Sequence, residues 1–176
     1  MGNIINHTMH SGLVLGAVSS FLLVSGWSLS PDSPMQPIIS FVMIFCTLFC
    51  IIHYTQRYFA EELNGEIKYF KAVRYGWNMT FYASIIIAIA TFFFFYLNTD
   101  ALTFLKESMI TVIKASASSE KEAEQVVLQL NNYSAKEVSM SAFVGYWLIN
   151  FIGILFTSFI LVLKRKKSVN NVENQQ

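Results

Sequence analysis

Cys46, Cys50 and His53 stand at i, i+4 and i+7 in an uncharged apolar run, so a helix would carry them on one face. Thiolate and imidazole are soft ligands, and such a trio is a copper or zinc arrangement that lacks its fourth donor. His7 and His10 belong to a different helix end, and the run offers no further ligand. The pattern therefore reads as two small packing cysteines and an interfacial histidine, with no metal and no cofactor expected. Glu61 and Glu62 are the next candidates. Adjacent side chains on a helix point about 100° apart, so these carboxylates do not converge as an acid–base pair. They are expected on a solvated face, with Arg57 one turn earlier as an ion-pair partner. Asn78, Thr80 and Asn150 lie inside apolar runs, where a polar group marks a substrate path or bonds to a neighbouring helix for roughly 0.6–2 kcal/mol. No Asp, Glu, Lys or Arg accompanies them there, which disfavours a proton-coupled pump or an ion carrier. No catalytic group emerges, and an enzyme is not expected.

The elements that must position these residues are legible from composition. Of 176 residues, 13% are charged and 54% apolar, whereas soluble domains carry about 25% charged. One domain in a lipid solvent fits that balance. The net charge is +1, and the bases are divided among segments flanking apolar runs. No basic stripe is available to follow a phosphate backbone, so nucleic acid is not an expected partner. Both cysteines lie within a run, so no disulfide framework is expected in the loops. The lead from Met1 to Gly12 has no Lys or Arg, and the first run is read as retained rather than cleaved.

Four runs are long enough to span, about residues 9–29, 37–54, 75–97 and 138–163. A spanning helix needs roughly 20 mostly apolar residues. Arg57, Lys68, Lys71 and Arg74 lie between the second and third runs, and Lys164-Arg165-Lys166-Lys167 follow the fourth. Both groups are cytoplasmic only if both termini are cytoplasmic. Trp77 is then expected at the inner interface, and Trp27, Tyr96, Tyr146 and Trp147 toward the outer one. Residues 168–176 read as a disordered cytoplasmic tail after a single transmembrane domain, 1–167.

The segment Asn98 to Glu137 carries two apolar repeats of helical period. Leu102, Leu105, Met109, Val112 and Ile113 form one; Ala123, Val126, Val127 and Leu130 form the other. Between them Ser119-Glu120-Lys121-Glu122 reads as a capping box. The expectation is an extracytoplasmic amphipathic hairpin, broken at about Ser116–Ser119 and ending near Asn131-Asn132. Gly12, Gly16 and Ser20 form a ladder of small residues on the first span, and Ser141, Gly145 and Gly153 another on the fourth. Such ladders, with Asn150 beside the second, are helix-packing devices within one chain or between copies.

Charge gathers between two long runs at Glu61-Glu62-Leu63-Asn64-Gly65-Glu66-Ile67-Lys68-Tyr69-Phe70-Lys71-Ala72, followed by Gly76. Gly65 suits a tight turn of positive φ, which would let Ile67, Tyr69 or Phe70, and Val73 dock beneath the bundle. This stretch resembles a motif of small bacterial membrane proteins common in Bacteroidota, the domain-of-unknown-function family numbered 4199. The likeness extends over most of the chain; Asn64 and Phe70 stand where many relatives carry Gly. It implies four spans, an inner-membrane address and no catalytic residue, with an envelope glycosyltransferase as a weakly indicated partner. The expectation is thus an all-α polytopic membrane protein, a non-enzymatic accessory or scaffold for an envelope enzyme or transporter. Glu61, Glu62, Gly65, Ile67, Tyr69 and Ala72 form its candidate interaction motif. A small lipid or solute carrier is the alternative, and an enzyme acting on a lipid a third reading. The bilayer, another membrane protein and further copies of the chain are the partners expected.

Overall fold

The computed structural model describes the backbone of residues 2–29, 33–62, 67–116 and 120–173. Within these it describes all side chains but those of 2–3, 120–123, 125, 131 and 165–173. Among the described residues six helices follow one another: α1 (Gly2–Trp27), α2 (Met35–Glu62), α3 (Tyr69–Leu97), α4 (Thr99–Ser116), α5 (Glu120–Asn131) and α6 (Ala135–Glu173). There is no strand among the described residues. Four helices hold segments apolar enough to cross a membrane, of 24, 28, 29 and 30 residues in α1, α2, α3 and α6. At about 1.5 Å per residue each exceeds a ~30 Å hydrocarbon layer.

Local chemistry places the helix ends. Ser33 accepts the Met35 N–H through its side chain at the start of α2, and Pro37 falls in the first turn, where a missing N–H costs least. At the start of α6, Glu137 reaches back to the Ser134 N–H (2.9 Å) and to its hydroxyl. That is the glutamate half of a capping box, in Ser134-Ala135-Lys136-Glu137, which the sequence reading did not single out. Asn98 alone separates α3 from α4, and its side-chain amide donates to the Phe94 carbonyl (2.9 Å). The turn expected at Gly65 and the cap expected at Ser119 lie outside the described residues.

The spans form a ring in which α3 runs parallel to α1 and antiparallel to α6. α3 packs along both α1 and α6, and α2 closes the ring by contacting α1 and α6. His7 of α1 meets Tyr75 near the start of α3 and Glu61 at the end of α2, and Ile154, late in the apolar part of α6, covers Gly76. The start of α1 and the C-terminal part of α6 therefore share one end of the bundle with the basic stretch 57–74. At the other end Trp27 packs on Phe94 and Phe95, beside Ala135, Val138 and α4. The main core, Leu15, Ile51, Phe59, Tyr75, Met79, Ala83 and Ile154, is 0–1% exposed. Outward faces are apolar: Phe45 and Phe49 on α2 are 68% exposed, Ile149 and Ile152 on α6 are 75% exposed. An apolar exterior around a packed interior is what a hydrocarbon solvent selects.

Several expectations need correction. Trp77 and Trp147 do not occupy opposite interfaces; their rings lie 4.4 Å apart. Antiparallel α3 and α6 bring position 147 beside 77 and 81, where the indole extends an aromatic seam with Phe81 and Phe143. Tyr146 is not interfacial either, because its hydroxyl finds partners inside the bundle. Gly145 faces open space, whereas Gly76 and Gly153 lie against Ile154 and Leu48. Asn150 donates to the Tyr146 carbonyl one turn back (2.7 Å) rather than across to another helix. The backbone of α6 continues to Glu173.

Candidate functional site

The small-residue ladder on α1 brings α1 and α3 into backbone contact. A Cβ built on Gly12 would stand 2.6 Å from the Met79 carbonyl oxygen, and one on Gly16 would stand 2.9 Å from that of Ala83. Only glycine tolerates this approach. Ser20 continues the stripe as a buried residue. Close packing here puts the first turns of α1 directly over Tyr75.

Tyr75 is fully buried. Its hydroxyl lies 2.6 Å from His7 Nδ1 and 2.9 Å from Ser11 Oγ. Ser11 donates its own proton to the His7 carbonyl (2.8 Å). The Tyr75 hydroxyl can accept from one of these two neighbours, Ser11 Oγ and His7 Nδ1, and donate to the other. The other ring nitrogen faces Glu61 Oε2 at 3.8 Å. Arg57 Nε donates to Glu61 Oε1 (2.8 Å). Tyr58 stacks on Tyr75 (4.9 Å) and leans on the His7 ring (5.3 Å). One chain of contacts thus runs Arg57–Glu61–His7–Tyr75–Ser11 and joins α2, α1 and α3 at the end that holds the basic stretch. Ser11 and Tyr75 are closed to a substrate, so the arrangement acts as a clamp.

A second chain ties the middle. Thr47 donates to the Met43 carbonyl (2.8 Å) and so accepts from Tyr146 (3.2 Å), which in turn accepts from Ser19 (3.0 Å). It joins α2, α6 and α1. Each chain buries hydroxyls with their partners, which hydrocarbon requires.

The candidate motif is divided by this geometry. Glu61 is held by Arg57 and faces His7 rather than projecting free. Ile67 packs against the core and Ala72 is buried within it. Tyr69 is half-buried, its ring meeting that of Phe70, which is 83% exposed. Lys68, Lys71 and Arg74 are exposed on the same end, as is Glu62. Gly65 is outside the described residues. Cys46 and Cys50 are half-buried, His53 stacks on Phe49 (5.9 Å), and no trio of ligating side chains converges among the described residues. Sequence reading missed His7, Ser11 and Tyr75; the available signal was a histidine and a serine one turn apart in the polar lead of the first helix.

No curated protein and no solved structure matches the chain. A family model described as "Protein of unknown function (DUF4199)" matches residues 10–164, a range that holds Ser11, Arg57, Glu61 and Tyr75 of the clamp, though not His7, and all of the motif. The chain belongs to the DUF4199 family.

Proposed function

We propose that this chain is a non-enzymatic accessory or scaffold subunit of a bacterial inner membrane that binds a larger membrane protein along α2. The supporting observation is that α2 contributes least to its own bundle. Only 11% of its apolar window is buried, against 28%, 33% and 28% for α1, α3 and α6. Its outward face carries Phe41, Phe45 and Phe49 at one-turn spacing, 63–68% exposed. Rigid aromatic anchors of this kind dominate protein interfaces. The clamp end of the bundle holds the exposed Phe70 and the bases Lys68, Lys71 and Arg74, which would face anionic headgroups and a partner's cytoplasmic side. In this reading both termini are cytoplasmic, and α4 and α5 lie outside. An envelope glycosyltransferase is the partner class suggested by the family resemblance. A carrier with a path through the bundle is less well supported, since Leu15, Ile51, Met79 and Ile154 close its centre.

A photo-crosslinking residue placed at Phe45 should give a discrete protein adduct in native membranes. The same residue at Ile152, which is 75% exposed on α6, should give lipid adducts alone. Equal patterns at both positions would remove the case for an α2 interface.

A further inference from the structure

A crevice opens at the end of the bundle opposite the clamp, where α4 covers the meeting of α1, α2 and α3. Its wider part, about 520 Å³, is lined by Trp27, Gln36, Phe95, Asp100, Phe104 and Ser108, among others. A second cavity of about 310 Å³ shares Trp27 and Gln36 and continues between α1 and α2 past Leu22, Leu23, Ile39 and Met43. Leu22 lies five residues before Trp27 and Met43 seven after Gln36, so the apolar part descends roughly 7–10 Å toward the middle of the spans. Together the two have the volume range of small-molecule sites, about 300–1,000 Å³.

The chemistry of the walls is ordered along this depth. At the mouth stand a carboxylate (Asp100), an amide (Gln36), a hydroxyl (Ser108) and an indole (Trp27). Below are aliphatic side chains and one serine, Ser40. Among the described residues, Asp100 is the one charged residue lining either cavity. A ligand matched to this gradient is an amphiphile with a cationic head and a hydrocarbon tail. The bilayer around the spans supplies one directly.

We propose that the crevice binds one aminophospholipid of the phosphatidylethanolamine type. Its ammonium group pairs with Asp100 and lies near the Trp27 ring, which attracts cations through its face. The Gln36 amide and Ser108 hydroxyl donate toward the phosphate, and one acyl chain runs between α1 and α2 beside Leu22, Leu23 and Ile39. A phosphatidylglycerol head, anionic without an ammonium, meets Asp100 as a like charge and is disfavoured.

The test is native mass spectrometry of the full chain in detergent, equilibrated with equal amounts of phosphatidylethanolamine and phosphatidylglycerol. Wild-type protein should retain one phosphatidylethanolamine at about ten times the level of phosphatidylglycerol, the ratio expected of one charge-assisted contact. Asp100→Asn, a change at an exposed position of α4, should bring the two lipids to within about twofold. Ala101→Trp, which fills the wider cavity, should abolish retention of both. Equal retention of the two lipids by wild type would overturn the proposal, as would an unchanged preference in D100N or lipid binding that survives A101W. Absence of any retained lipid would also overturn it and leave the crevice as unspecific annular surface.

Discussion

Replacing Gly16 with alanine adds one methyl group where α1 meets α3. Built in place, its Cβ lies 2.8 Å from Ile86 Cβ, 2.9 Å from the Ala83 oxygen and 3.0 Å from Ala83 Cα. Carbon contacts settle at about 3.5–4.0 Å, so the helices must part by a large fraction of an ångström, because two of the three obstacles are backbone. Gly12 is tighter still, with the Met79 oxygen at 2.6 Å and Tyr82 Cβ at 2.7 Å. Overpacking of this kind costs about 1–3 kcal/mol. In water alanine would offset up to about 1 kcal/mol through helix propensity. In a bilayer the separated helices remain helical, so that offset largely cancels. Gly145 is the internal control, with nothing within 4 Å of its Cβ. Thermal unfolding in detergent, read by loss of the monodisperse chromatographic peak, should show Gly12→Ala and Gly16→Ala melting lower by several degrees. Gly145→Ala should melt with wild type. If all three variants melt together, α1 and α3 do not approach as described, and the placement of His7 over Tyr75 loses its basis.

Tyr75→Phe should destabilise the bundle by about 1–3 kcal/mol, since His7 Nδ1 and Ser11 Oγ lose their shared buried partner; the same melting assay reads it. Tyr146→Phe should cost less, about 0.6 kcal/mol for an average hydrogen bond between spans and at most about 1.7. Ser134→Ala removes a capping serine from α6 and should cost about 0.5–2 kcal/mol locally, seen as faster amide exchange in the first turn of α6 with insertion unchanged.

The spans were readable because absence of charge over about 20 residues is a one-dimensional signal. The helices α4 and α5 were readable for a similar reason, since Leu102 to Ile113 and Ala123 to Leu130 are each periodic. The clamp was not readable. His7 and Tyr75 are 68 positions apart, and their meeting depends on the register that Gly12 and Gly16 impose on two helices. Trp147 and Tyr146 misled for the related reason that interfacial preference is a surface tendency. In the bundle Trp147 meets Trp77 and Phe81 of α3, and Tyr146 reaches Ser19 of α1 and Thr47 of α2. The Ser134–Glu137 pattern stands plainly in the sequence just ahead of the fourth apolar run.

The membrane-spanning arrangement is tested most directly by single cysteines at Lys71 and Glu107, both exposed and separated by α3, in a background with Cys46→Ala and Cys50→Ala. In intact cells a membrane-impermeant maleimide should label the cysteine at 107 and spare the one at 71 until the membrane is opened. Equal labelling of both would mean that α3 does not cross the bilayer, and labelling of 71 alone would mean that the bundle is inserted the other way round.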